Sequence, residues 1–410
     1  MRTDDTEPGV LLTGATGFVG GEILVRLLER GSAAGPTVYL LVRADDDADA
    51  RGRVRGLLAS LLGRAGPEAE RVVAVAADLT RAGLGLSTGR RDWLADRIDR
   101  IIHCAASVSF SLSLDESRAI NVEGTRRMLD LAEHAEARGG IDSFNYISTA
   151  YVGGDHRGSF SESDLDCGQG FRNAYERSKF EAESLVRERA ESTKARIFRP
   201  SIVVGDSATG WTPAFNVVYS PLRAFAKGAL PVLPARRSSP VDIVPVDFVA
   251  DAVLALAGSG EPGSTWSLTA GPRASSVGEI VDLAARRLQQ PPPRVLPSGL
   301  YRRTLHPLLL RRGSERRRRA LRASEVFFPY FSMRLHYDNE RTRRALEPHG
   351  LEVPELPNYF TRLLDFATEA DWGKRAIARH QVRSAPAPRP RRHRHRPGRP
   401  VRGQAAREGG

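Results

Sequence analysis

Val10-Leu11-Leu12-Thr13-Gly14-Ala15-Thr16-Gly17-Phe18-Val19-Gly20 is the stretch on which the reading of this chain turns. Its three leading apolar residues suit a buried parallel strand, and residues 13–17 supply a glycine-rich turn. From Gly20 to Leu28 apolar residues recur at helical spacing. Strand, tight turn and helix start are the parts of a dinucleotide pyrophosphate site. Gly14 allows the sharp turn, Gly17 lets the backbone approach the phosphates, and Gly20 permits close packing of helix on strand. The first N–H groups of the helix then face the anion. The spacing is G-x-x-G-x-x-G rather than the G-x-G-x-x-G of most dehydrogenases, and a strand–helix turn without a ligand has the same pattern. The rest of the chain has to decide between them.

Outward from this turn, apolar runs predict strands at Val38–Val42, Val72–Ala77, Arg100–Cys104, Phe144–Ile147 and Ala195–Phe198. Helical spacing falls between them at Arg51–Leu62, Leu114–Glu136 and Asn173–Ala190. The alternation implies an α/β fold, a doubly wound parallel sheet of Rossmann type, over residues 1–205. Residues 206–373 read mainly as a smaller substrate-binding lobe, punctuated by six prolines between Pro213 and Pro245 and closed by a helix over Leu356–Trp372. Residues 374–410 read as a disordered Arg/Pro-rich tail that adds nothing to stability.

The 410 residues carry a net charge of +12. From Lys374 onward, one lysine and eleven arginines against Glu408 give +11, so residues 1–373 are nearly neutral. The tail suits non-specific attraction to anions, and no specific nucleic-acid motif accompanies it. Only Cys104 and Cys167 are present, which excludes a disulfide framework and argues against a metal site. No apolar run is long enough to span a bilayer, and no apolar signal region precedes the first strand. These features lead to an expectation of a cytoplasmic protein, with the oligomeric state open.

Tyr175-Glu-Arg-Ser-Lys179 places a tyrosine and a lysine on one face of a predicted helix. An ammonium nearby is expected to lower the phenol's pKa, so that Tyr175 can exchange a proton with an oxygen whose carbon exchanges hydride. The strand before this helix ends in Ser148-Thr149, and a hydroxyl there can hold the same oxygen.

Five segments in order now resemble the extended short-chain dehydrogenases/reductases over roughly residues 8–270: residues 13–20, His103–Ala106, Asn121–Thr125, Tyr175–Lys179 and Arg199–Ser201. The resemblance implies that Gly14, Gly17 and Gly20, with Thr13, Thr16, Phe18 and Val19, hold the pyrophosphate. It implies Asp78 and Leu79 at the adenine, and Ala105, Ala106 and Pro200 along the cofactor. Thr149, Tyr175 and Lys179 would form the catalytic triad, Lys179 also bonding the nicotinamide ribose. Asn121 would be a fourth member or helix-bending residue, and Ser148 is kept in reserve for the hydroxyl role. Leu40–Arg43, Ala50–Arg53, His103–Phe110 and Ile147–Val152 are similar to the thioester reductase and fatty acyl-CoA reductase branch. Thr149–Gly154 departs from the pattern of sugar-nucleotide epimerases.

The second strand ends in Arg43, with Arg53 as a further cation, and a guanidinium matches a 2′-phosphate; this favours NADP. Asp45–Asp47 keep an NAD reading open. Cys104 reads as core rather than nucleophile, and His103 as a packing or hydrogen-bonding residue. The arginines of Arg302–Arg322 suit a solvated face, a carrier-protein contact, or a membrane-surface contact through Leu308–Leu310. The expectation is an NADPH-dependent reductase of an acyl thioester on CoA or an acyl carrier protein, giving an aldehyde or alcohol. The alternatives are a nucleotide-sugar epimerase/dehydratase or secondary-alcohol dehydrogenase, and a non-catalytic NADP-sensing regulator.

Overall fold

The computed structural model of the chain describes residues 9–30, 35–63, 67–215, 217–312, 315, 330 and 333–382. Its first half alternates β1 (Gly9–Thr13), α1 (Phe18–Arg30), β2 (Val38–Val42), α2 (Asp47–Leu62), β3 (Val72–Ala76) and α3 (Thr88–Ala95). Then come β4 (Ile98–His103), α4 (Leu114–Arg138), β5 (Ser143–Ile147), α5 (Ala174–Glu188) and β6 (Ala195–Pro200). The helices start where their capping residues dictate. Asp46 accepts from the Ala48 and Asp49 N–H groups, Ser113 and Glu116 form a reciprocal capping box, and Asn173 accepts from Glu176 N–H.

Later, α6 (Val246–Leu256) leads into β7 (Thr265–Leu268), which pairs in parallel with β6. The sheet is therefore seven parallel strands in the order β7-β6-β5-β4-β1-β2-β3. Strand order reverses between β1 and β4, and ligands of open α/β sheets bind at such a switch point, beyond the carboxyl ends of the strands. One apolar layer joins one face of the sheet to α1, α2 and α6 through residues such as Leu24, Leu58 and Val253. The other joins the opposite face to α4 and α5 through Met128, Leu129, Ala182 and Val186.

The boundary drawn at residue 205 is not a clean one, since α6 and β7 return to the seven-stranded sheet. Arg26 on α1 pairs with Asp251 on α6 at 2.9 Å and fixes that return. The remaining lobe packs Tyr219–Ala226, Val277–Leu288 and α7 (Phe360–Glu369) around their own apolar cluster. Short parallel pairs tie it to the sheet domain, Ile243–Pro245 on Ile202–Val204 and Leu335–Tyr337 on Gly158–Phe160. The helix expected over Leu356–Trp372 is only α7 in its middle, because Asp371 and Trp372 turn left-handed with φ of 43° and 56°.

The reading of a disordered tail from Lys374 is corrected for residues 374–382. The Arg379 guanidinium bonds both oxygens of Glu22, at 2.9 and 3.0 Å, and Glu22 is fully buried on α1. Trp211 donates its indole N–H to the Ile377 carbonyl at 3.0 Å, and Ile377 and Val382 pack on the core. A buried carboxylate gains a partner by this docking, and removing one member of such a pair typically costs about 3–5 kcal/mol. Composition alone hid the docking, because arginine reads as solvated until a buried acid is found opposite it. Residues 383–410, and Arg316–Arg319 of the arginine cluster, lie outside the described residues.

Candidate active site

Gly14 has φ of +75°, and a Cβ there would come within 2.7 Å of the Ala105 backbone nitrogen, so the turn lies directly against the end of β4. A Cβ on Gly20 would come within 2.2 Å of the Gly14 carbonyl oxygen, which fixes α1 on the turn. Thr16 and Gly17 are exposed at the start of α1, and the first turn of that helix holds no acidic side chain. No carboxylate there competes with an anion, although the Gly20 N–H is turned to Cys104, and Phe18 and Val19 are half-buried at the helix start. Thr13 is buried; its hydroxyl accepts from Ala105 N–H at 3.1 Å and bonds His103 Nδ1 at 2.8 Å. His103 also meets Thr125 Oγ1 at 3.2 Å through Nε2, and burial pushes its imidazole down to about 3, so it is neutral. It is a strut between β1 and α4.

Around the adenosine end of this edge, Arg43 is exposed at the end of β2, and Arg53 turns its guanidinium onto the Arg43 carbonyl. Arg53 therefore braces the Arg43 backbone rather than standing beside it as a second free cation. Asp78 accepts from Thr80 N–H and Oγ1 at 2.8 and 2.7 Å, and these bonds lower its pKa, with Arg43 and Arg81 adding smaller contributions. Leu79 packs over Gly124 of α4, where a Cβ would meet the Leu79 side chain at 3.3 Å. Two of the three aspartates that kept an NAD reading open have structural work: Asp46 caps α2, while Asp47 accepts from Ala76 N–H and pairs with Arg90 at 2.8 Å. Ala105 and Ala106 are half-buried on the loop after β4, and Pro200 is buried at the last position of β6 on the same edge. These residues fit a dinucleotide.

Thr149 and Tyr175 come together where β5 and α5 reach that edge, near enough for the Thr149 hydroxyl to pull the phenol's pKa down, while Thr149 Oγ1 also accepts from Tyr151 N–H at 3.2 Å. Ser148, the reserve for the hydroxyl role, points elsewhere: its Oγ donates to Glu183 at 2.6 Å. Glu183 in turn holds the buried Arg199, at 2.6 Å, inside the fold. Asn121 does not reach the phenol; its amide bonds Ser107 N–H at 2.8 Å, the Ser107 carbonyl at 3.1 Å and Ser178 Oγ at 2.9 Å. It ties α4 to α5 and to the loop after β4, and so sets the height of Tyr175 indirectly.

Lys179 behaves differently from the sequence expectation. Its Nζ donates to Tyr146 Oη at 2.7 Å and to the Ile147 carbonyl at 2.8 Å, across to β5. Burial lowers its pKa to about 7, partly offset by Cys104 and Glu183. Tyr175 is pushed up to about 12 by burial, the Thr149 hydrogen bond opposing. The lowering of Tyr175 by the ammonium is therefore absent from this geometry; desolvation sets the direction, and the phenol keeps its proton at neutral pH. Cys104 is pushed up to about 11 by burial and stays a thiol.

Sequence reasoning missed Tyr146 and the aromatic surround of the phenol. Tyr146 alternates with Phe144 on β5, and that period-2 pattern was the available signal. Phe110 lies 5.7 Å from Tyr175 and stacks on Tyr330 at 5.8 Å, while Tyr151 meets Tyr330 edge-on at 5.2 Å. Tyr330 donates to the buried Glu176 at 2.6 Å. No local pattern connects residue 330 to residue 176, so only the fold could reveal this pair.

The fold and this edge are of the extended short-chain dehydrogenase/reductase type. The chain belongs to the family described as Male sterility protein, whose profile matches residues 12–253, more than half of it. It is 31% identical over 281 residues to fatty acyl-CoA reductase 1 of Xenopus laevis, covering 60% of this chain and 54% of that protein. Fatty acyl-CoA reductase wat of Drosophila melanogaster is 28% identical over 284 residues, with 61% and 54% covered. The chain thus spans about half the length of the curated relatives it matches. Among solved structures, the terminal R domain from the myxalamid PKS-NRPS biosynthetic pathway is 28% identical with a TM-score of 0.77, covering 92% of this chain and 94% of that one. Among the described residues, no helix is long and apolar enough to cross a membrane.

Proposed function

We propose that the chain reduces an acyl thioester, carried on CoA or on a carrier protein, with NADPH. The Thr149–Tyr175 hydroxyl pair beside the glycine turn carries this reading, since it offers a proton and an orienting hydrogen bond at one point. Gly14, Gly17, Gly20 and the first turn of α1 would hold the pyrophosphate, Asp78 and Leu79 the adenine, and Lys179 the ribose. Arg43 would meet the 2′-phosphate. NADPH, when bound, supplies hydride to the thioester carbonyl carbon. Thr149 orients the carbonyl oxygen, and Tyr175, protonated at neutral pH, gives that oxygen its proton. The resulting hemithioacetal expels the thiol and leaves an aldehyde; a second hydride and proton would give an alcohol.

Support for an acyl rather than a sugar substrate comes from the lobe, which encloses a cavity of about 60 Å³ lined by apolar residues, among them Leu222, Phe225, Leu233 and Ile280. The likeness to a reductase domain over nearly the whole chain points the same way. Arg302, Arg303 and Arg311 are exposed and suit the acidic surface or phosphopantetheine phosphate of a carrier protein. The test is NADPH oxidation with acyl-CoAs, carrier-bound acyl groups, ketones and nucleotide sugars. Turnover confined to nucleotide sugars, or tight NADP binding with no turnover at all, would sink the reading.

A further inference from the structure

A second, smaller cavity lies between the hydroxyl pair and the apolar lobe. It measures about 20 Å³, and its lining includes Tyr151, Asp242, Tyr330 and Tyr337. Tyr151 follows Thr149 by two residues, and Tyr330 is linked to Tyr175 through Phe110. On its other side the cavity shares Val218 and Val241 with the apolar cavity. It therefore sits where the first carbons of an acyl group would pass from the reacting carbonyl to the lobe.

One polar group in this lining lacks a partner, and a buried carboxylate stands near it. Tyr337 is 7% exposed, and its hydroxyl is buried with no hydrogen-bond partner among the described residues. An orphaned buried hydroxyl costs free energy that a ligand or a water can recover. Asp242 is already partnered, accepting from the Ala270 and Gly271 N–H groups at 2.7 and 2.9 Å, one on each oxygen, with the Ser201 side chain beside it. Burial lifts its pKa to about 6, and each oxygen keeps a lone pair for one more donor. Its charge acts on Tyr337 and lifts the phenol's pKa further, so Tyr337 remains a donor.

Tyr337 thus asks for a group that accepts from it, and Asp242 beside it favours one that can also donate. An ammonium cannot accept, and a keto oxygen cannot donate; a hydroxyl does both. The size agrees, since about 20 Å³ admits a single water-sized group. We propose that this cavity is a subsite for a hydroxyl carried on the acyl chain a few carbons from the thioester carbonyl, with the aliphatic remainder entering the apolar cavity. The inference rests on the thioester reading above and narrows its substrate to a hydroxyacyl group.

The experiment compares decanoyl-pantetheine with the isomers hydroxylated at carbons 3, 4 and 5, by kcat/KM with NADPH. One isomer should exceed the unsubstituted thioester by about ten- to a hundredfold, the range of one or two hydrogen bonds that include a charged acceptor. Tyr337→Phe and Asp242→Asn should each bring that ratio close to one. Removing the Tyr337 hydroxyl orphans nothing, so the melting temperature of Tyr337→Phe should hold and a folding defect will not obscure the result. Equal turnover of all four substrates, or a ratio untouched by either variant, means that the cavity holds only water and overturns the subsite. If no thioester is reduced, the reductase reading falls on its own. Calorimetry with the unreactive pantetheine amides then decides the subsite: tighter binding of one hydroxylated amide, lost in Tyr337→Phe, upholds it, and equal affinities reject it.

Discussion

Replacing Lys179 by Met should remove a pH-dependent cost to stability while abolishing turnover. Lys179 is 3% exposed, and burial brings its pKa to about 7 from an ordinary 10.5. Above pH 10.5 the amine is neutral in both folded and unfolded chains, so burial carries no ionic penalty. Between the two values the unfolded chain binds the proton and the folded chain does not, and folding stability falls as the pH falls. Below about pH 7 the full penalty is present. At about 1.36 kcal/mol per pKa unit, the shift corresponds to roughly 5 kcal/mol. Methionine has a similar length and carries no charge. It leaves the Ile147 carbonyl and Tyr146 hydroxyl without their donor, a loss of roughly 1–3 kcal/mol for each group that stays unsatisfied. With two groups orphaned that loss is roughly 2–6 kcal/mol, so the net change at pH 7 lies between about −1 and +3 kcal/mol, and the pH dependence is the sharper readout. Urea denaturation of the nucleotide-free proteins at several pH values between 6.5 and 10 measures it. The wild type should gain stability with pH relative to Lys179→Met, with a difference in slope approaching one proton in the middle of the window. Parallel curves would mean that Lys179 keeps an ordinary pKa in the fold, and the desolvation argument would fail.

Tyr175→Phe keeps the ring and removes the proton, so turnover should drop by about two to four orders of magnitude while nucleotide binding survives; near wild-type rates would remove Tyr175 from its role. Arg43→Ala should weaken NADPH about ten- to a hundredfold more than NADH in titrations, and equal losses would make Arg43 structural. Truncation after Val382 should leave the melting temperature unchanged and reduce retention on an anionic resin in a salt-sensitive way. Truncation after Gly373 should instead lower stability through the lost Arg379–Glu22 pair, by less than the about 3–5 kcal/mol of a fully orphaned buried charge because Arg26 stays at 2.9 Å, and equal stability of the two truncations would contradict the docking.

The nucleotide-binding sheet was largely legible because its signals are local. Apolar runs such as Val38–Val42 and helix starts such as Asn173 state their structure within a few residues. Tyr175 and Thr149 were legible for the same reason, each lying at the end of a readable element. The pairing of β7 with β6 was not, since a four-residue strand after an irregular stretch does not announce its neighbour. Nor was the direction of Lys179: helical spacing gives the face on which a side chain starts, and the acceptors at Tyr146 and Ile147 decide where it ends. Arg379 was misread for a related reason. Charge patterning describes a residue's own tendency to stay in water, and Glu22 overrides it from the far end of the chain.

That last contact also sets an order of events during synthesis. Glu22 leaves the ribosome early, and Arg379 follows 357 residues later. At about 5–20 residues per second, the interval is roughly 20–70 s. Throughout it, the carboxylate under the nucleotide helix has only Arg26, four residues away, to balance it. Glu22 on the nascent amino-terminal half therefore lacks its bidentate partner until nearly all of the described chain has emerged. A ribosome-bound chain stopped before residue 379 should accordingly be cut by protease near α1 more readily than one stopped well beyond Val382.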